Sequence, residues 1–140
     1  VLGKGKAATS TRYVGGTGGK AYTQSVTEYD SRYNATGSKL TLPVDEQLVT
    51  SGALDSNVLD LTAHYKIDGS LEQTTEPAAG GLPAETVEYD YSAHGLPTTL
   101  TAGGKGIVLN TTYTDLGQVS TRRFGVSEAT GTGKVDVQHG

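Results

Sequence analysis

Tyr91-Ser92-Ala93-His94-Gly95 is the stretch whose reading decides the fold. It has the form Tyr-x-x-x-Gly and lies between two alternating, Thr-rich segments. Tyr33–Gly37, Tyr65–Gly69 and Tyr113–Gly117 share the form. A β-hairpin with a three-residue loop commonly uses a type I turn followed by a residue in the left-handed region. Glycine meets that last requirement because it has no Cβ. The predicted turns therefore run Asn34–Gly37, Lys66–Gly69, Ser92–Gly95 and Thr114–Gly117. Asn and Ser suit the first turn position, where their side chains bond the local backbone. Each motif Tyr is then the last strand residue, placed to cover the bend. Its hydroxyl is still free to reach water or a partner.

The flanking segments carry the period of two that marks a strand with one buried face. In the second unit Leu59, Leu61, Ala63 and Tyr65 fall on one face and Asp60, Thr62, His64 and Lys66 on the other. In the third, Val87, Tyr89 and Tyr91 face in. In the fourth, Ile107, Leu109, Thr111 and Tyr113 do so. The first unit is more polar: Ser25, Thr27, Tyr29, Ser31 and Tyr33 share one parity, and Gln24, Val26, Glu28 and Asp30 the other. Return strands follow each turn, the first ending at Pro43 because proline cannot donate to a ladder. The fold class is all-β: repeated antiparallel hairpins at about 21–43, 58–77, 84–102 and 107–124, forming one extended, curved sheet. Residues 44–57 are an irregular connection in which Asp45-Glu46-Gln47-Leu48 reads as one helical turn with Asp45 as N-cap. Gly15-Gly16-Thr17-Gly18-Gly19 is a hairpin tip, 77–83 and 103–106 are loops, and Lys134–His139 begins a fifth strand.

The composition fits such an array. Leu, Ile, Val and Phe number 28 of 140 residues, near the floor for a folding chain. The net charge of −4 is too low for the usual disordered composition. An acidic balance without a basic cluster excludes a nucleic-acid footprint. No apolar run is long enough to span a membrane. There is no Cys, hence no disulfide or thiolate metal site. With no Met and no apolar signal region at its start, the chain reads as an excised or processed piece.

Tyr29-Asp30 and Tyr89-Asp90-Tyr91-Ser92-Ala93-His94-Gly95-Leu96 resemble the YD-repeat (RHS-repeat) family, whose unit reads Tyr-Asp-Tyr-Asp-x-x-Gly-Arg-Leu-Thr. The likeness covers about residues 22–125 and is closest in the third unit. Ala63 and Thr111 stand for the first Tyr in their units, and Ser38, Ser70, Leu96 and Gln118 for the Arg. The Thr-, Gly- and Ala-rich composition is similar to actinobacterial members. The resemblance implies a long β-strand spiral that closes into a hollow shell around a C-terminal toxin segment of a secreted or cell-surface bacterial protein. It also implies an Asp-Pro-containing core motif at the shell–toxin boundary, and no Asp-Pro occurs here. The chain on this reading is mid-shell wall. Its partners are neighbouring repeats of the same parent chain, or other copies meeting open sheet edges, and an enclosed toxin segment.

No catalytic constellation, metal site or cofactor motif emerges. Val14 stands where a phosphate loop needs its first Gly, and Ala21 follows Lys20 where Ser or Thr is required. His64, His94 and His139 are dispersed without ligand spacing. Asp45/Glu46 and Glu28/Asp30 are surface carboxylates, and no Gly-x-Ser-x-Gly elbow exists. Asn34-Ala35-Thr36 and Asn110-Thr111-Thr112 match the glycosylation acceptor pattern, which reads as coincidence in the bacterial chain that the resemblance implies. Arg122-Arg123 is too small a patch for a polyanion. The residues that matter are the structural motif itself: Tyr33, Gly37, Tyr65, Gly69, Tyr89, Tyr91, Gly95, Tyr113 and Gly117. The expected function is a non-enzymatic wall segment. The alternative is a carbohydrate- or receptor-binding adhesin module that stacks a sugar on exposed Tyr rows.

Overall fold

The computed structural model describes residues 4–125 and 135–138. Among these residues ten strands form one antiparallel sheet: β1 (Thr9–Val14), β2 (Lys20–Tyr29), β3 (Ala35–Thr41), β4 (Val58–Tyr65), β5 (Leu71–Glu76), β6 (Glu85–Tyr91), β7 (Pro97–Ala102), β8 (Lys105–Tyr113), β9 (Val119–Phe124) and β10 (Val135–Gln138). Each strand pairs only with its neighbours in sequence, so the sheet is an unbroken meander. Short connections between alternating strands favour this order, since a hairpin closes with little loop entropy. β1 and β10 are the outermost strands among the described residues.

Three of the predicted turns lie where the Tyr-x-x-x-Gly pattern puts them. Gly69 N donates to Lys66 O, Gly95 N to Ser92 O and Gly117 N to Thr114 O. The loop closes when the residue after Tyr donates to the residue after Gly: Lys66 N to Ser70 O, Ser92 N to Leu96 O, Thr114 N to Gln118 O. Gly69, Gly95 and Gly117 sit at φ of 89°, 75° and 76°, where a Cβ is disfavoured. Each hairpin then takes a register shift just before its Tyr, between His64/Tyr65, Asp90/Tyr91 and Thr112/Tyr113. The bulge increases local twist, which curves the sheet.

The first copy is framed differently from the sequence reading. The turn is not Asn34–Gly37. Tyr33 N donates to Asp30 O and Asp30 N to Asn34 O, so Tyr29 is the motif tyrosine and Tyr33 occupies the glycine position at φ 65°. Asp30 fixes this frame. Its Oδ1 accepts from Arg32 N and Asn34 N, both at 2.8 Å, and its Oδ2 from Asn34 Nδ2 at 2.9 Å. Three bonds from one carboxylate outweigh the strain of a non-glycine residue in the left-handed region, about 1–2 kcal/mol. Gly37 lies inside β3, paired with Glu28. A Cβ there would come within 2.6 Å of Thr27 Oγ1 and 3.2 Å of Glu28 Cβ, so glycine serves close strand approach at a bulge and not a turn.

Bulges also correct two parities. Register shifts between Val26/Glu28 and Glu28/Tyr29 interrupt the alternation expected across 25–33. A shift between Val108 and Asn110 leaves Leu109 as the extra residue of β8. Val108 therefore shares the face of Thr111, and Ile107, expected inside, is 43% exposed. The helical turn exists as α1 (Gln47–Thr50), but its N-cap is Glu46, with no side-chain cap bond, in place of Asp45. β10 covers Val135–Gln138 and pairs with β9; Lys134 and His139 lie outside the described residues.

One face collects the apolar side chains. Tyr89 on β6 pairs with Leu100 on β7, Leu100 with Val108 on β8, and Val108 with Phe124 on β9. Ala63, Thr74, Val87 and Ala102 form a parallel row. The other face pairs Lys39 with Asp60 (3.6 Å) and carries Glu88, Asp90 and Arg123. No apolar side chain among the described residues is fully buried, and the least exposed polar one is Thr111, at 4%. A second layer normally closes such a face. None is present among the described residues.

Candidate functional site

The repeated site is a seam where each hairpin meets the one before it. The motif tyrosine ends a strand that pairs on one side with its own hairpin partner and on the other with the preceding hairpin. Strand alternation points its ring onto the apolar face, and the hydroxyl reaches back across the junction. Tyr65 donates to Ala35 O at 3.2 Å, Tyr91 to Leu71 O at 2.8 Å, and Tyr113 to Pro97 O. Tyr29 makes the same bond to Ala7 O at 2.6 Å. Ala35, Leu71 and Pro97 are equivalent positions: each is the Cα partner of its own hairpin's motif tyrosine. Each of the first three motif hairpins thus presents a carbonyl to the next hairpin's Tyr.

The loops add further links. Arg32 Nη1, in the first turn, donates to Lys66 O at 3.3 Å and to Ile67 O in the second. Lys66 Nζ lies 5.1 Å from the centroid of the Tyr91 ring and 3.7 Å from Asp90 Oδ1, joining the second turn to the third hairpin. Burial pushes the Tyr91 phenol up from its ordinary value, with smaller contributions from Tyr89 and Asp68, so the hydroxyl stays a donor. The side-chain bond from Asn34 holds the Asp30 carboxyl below its ordinary value, and Ser70 does the same for Asp68. Tyr22 donates to Glu46, tying α1 to β2; this bond raises the phenol and lowers the carboxyl.

The sequence-predicted residues divide between two settings. Tyr65, Tyr91 and Tyr113 are seam residues, with Gly69, Gly95 and Gly117 in their turns. Tyr89 is a face residue opposite Leu100, with no role in the seam. Tyr33 and Gly37 belong to neither role in the expected way. Sequence reasoning passed over Tyr29 as a motif residue, although the Tyr29-Asp30 dipeptide itself marks it. Arg122 and Arg123 fall on opposite faces: Arg122 Nε donates to Thr111 Oγ1 at 3.4 Å, and Arg123 forks onto Asp136 at 2.8 and 3.1 Å.

Ser92, His94 and Asp115 share an open groove of about 690 Å³ between two turns. Ser92 Oγ accepts there from the backbone of His94 (3.3 Å) and Leu96 (3.2 Å), so it works as a turn cap. A nucleophile would need a base in hydrogen-bond reach. His64 is exposed on the polar face. No cluster of three or more His, Cys, Asp or Glu that could hold a metal occurs among the described residues. Among the described residues no helix is long and apolar enough to cross a membrane. Asn34 Nδ2 is engaged by Asp30, and Asn110 lies exposed on β8. No protein-family model matches the chain, and no curated protein matches it.

Proposed function

We propose that the chain is a non-enzymatic structural segment of a large secreted or cell-surface YD-repeat protein, building the β-sheet shell that encloses a C-terminal toxin or effector. The observation that carries this reading is the seam. The same tyrosine-to-carbonyl bond joins each hairpin to its predecessor, with the acceptor at an equivalent position every time. Such a unit extends by repetition. Nearest-neighbour interfaces of this kind are how repeat proteins build walls. The bulge at every motif Tyr supplies the curvature that a closing wall needs.

The adhesin alternative has less support. It requires tyrosines exposed in a row. The motif hydroxyls are spent on backbone carbonyls, and the most exposed tyrosines, Tyr13 (53%) and Tyr33 (49%), lie on a strand and in a loop that do not adjoin.

The test uses the parent protein. Deleting residues 84–102 removes one hairpin and its seam. The downstream segment should resist protease in the intact parent and become cleavable in the deletion. Equal cleavage in both proteins would overturn the wall reading.

A further inference from the structure

The apolar face carries two sets of charges that form no ion pair among the described residues. Arg122 on β9 sits beside Thr111, in a groove lined also by Tyr89, Tyr91, Leu100 and Val108. Its guanidinium makes one long hydrogen bond and forms none of the ion pairs among the described residues. On the same face Glu76 ends β5 and Glu85 begins β6, and the two are direct cross-strand partners. Glu76 lines a groove with Leu61, Ala63 and Thr74, which fixes its side of the sheet. Neither carboxylate forms an ion pair among the described residues. Like charges directly opposite each other weaken a strand pair, and an unpaired guanidinium on an apolar face loses hydration without compensation.

We propose that a second copy of this chain closes the face, packed sheet on sheet about a two-fold axis, with Arg122 of each copy seated on the partner's Glu76 and Glu85. A two-fold interface must be self-complementary: where one group meets another, the reciprocal contact follows. The cation and the anion pair meet this condition because they lie on either side of an apolar patch. β6 and β9 lie three strand spacings apart, about 14 Å, and the register sets Glu85 and Arg122 a further six residues apart along the strands, about 20 Å. Leu100 and Ala102 of β7 and Val108 of β8 occupy the interval. Those residues meet their own copies across the axis. The second sheet supplies the missing layer at the usual spacing of about 10 Å. Pairing through β1 or β10 would leave the apolar face uncovered and both charge sets unpaired. The inference is independent of the wall reading.

Light scattering on the purified chain tests it. The wild type should give twice the 14.5 kDa chain mass at about 100 µM. Arg122→Glu alone, and Glu76→Arg/Glu85→Arg alone, should each weaken the dimer at least about tenfold, since close interfacial charge pairs couple strongly. Mixing the two variants should restore it, because every contact then pairs opposite charges. Restoration also shows that both variants fold. A wild type that stays at the chain mass, a dimer indifferent to either variant, or open-ended growth through sheet edges would each overturn the proposal.

Discussion

The Tyr91 hydroxyl donates to the Leu71 carbonyl at 2.8 Å, and the two residues belong to different hairpins. Leu71 is in turn the strand partner of Tyr65, whose own hydroxyl reaches Ala35 one hairpin further back. The bond therefore couples units that local turn chemistry alone would leave independent. Tyr91→Phe keeps the ring and removes only this bond. It should cost about 1 kcal/mol, the usual net worth of an intramolecular hydrogen bond. Tyr89→Phe, which touches no seam bond, should stay within about 0.5 kcal/mol of wild type. Urea unfolding of the two variants side by side measures the difference, and equal midpoints would refute the seam's energetic role.

Tyr33 holds φ 65° where its sister positions carry glycine. Tyr33→Gly should relieve about 1 kcal/mol of strain. Part of that gain is offset by the greater freedom of glycine in the unfolded chain and by loss of the Lys6 ammonium 5.5 Å from the ring. The net effect is small, within about 0.5 kcal/mol of the wild type in urea unfolding. Gly95→Ala, at φ 75°, should lower stability by about 1 kcal/mol. A near-neutral change at Tyr33 beside a clear loss at Gly95 is the signature of a shared left-handed position.

Gly37→Ala should destabilise by about 1–3 kcal/mol, because the added methyl meets Thr27 Oγ1 and the Glu28 side chain. Thr27→Ala removes the closest clashing atom, so the double variant should recover part of the loss in a thermal melt. A turn glycine would behave otherwise, since nothing lies within 4 Å of a Cβ at Gly69 or Gly95.

Acid sensitivity follows from the turn carboxylates. Asp30 and Asp68 are held below the ordinary value of 3.8, by Asn34 and Ser70 respectively. A carboxyl lowered in the folded state binds protons more readily when unfolded. Its stabilisation is complete above about pH 4 and is lost as the pH falls through the lowered folded value. Asp30→Asn should therefore show a shallower decline in urea midpoint between pH 5 and 2 than the wild type, with the ionic strength held fixed so that screening does not change. An unchanged slope would show that Asp30 does not set the turn.

How much of this was legible in the sequence is seen at individual residues. The β4 alternation from Leu59 to Tyr65 is unbroken, and its faces follow from the period of two alone. In β8 the same rule misplaces Ile107, because bulges at Ile107 against β7 and at Leu109 against β9 shift the count and no residue type announces them. The first turn was misframed because Tyr29 and Tyr33 stand four apart, and a glycine follows only the second at motif spacing. What decides between them is the set of bonds Asp30 accepts from Arg32 and Asn34, a choice between two local geometries that composition does not rank.

The sequence by itself determined the class of structure: strands from the alternation, turns from Lys66–Gly69, Ser92–Gly95 and Thr114–Gly117, and the repetition of one unit. These are local properties, set by residues within a few positions of each other. Only the tertiary structure decided which carbonyl each tyrosine reaches, since Leu71 lies 20 residues before Tyr91 and periodicity names a face but never a partner. It alone decided, too, that Arg122 shares one face with Glu76 and Glu85, a face no second layer covers among the described residues. Which side chains meet across a sheet depends on the summed register of every strand between them, and each bulge along the way resets it.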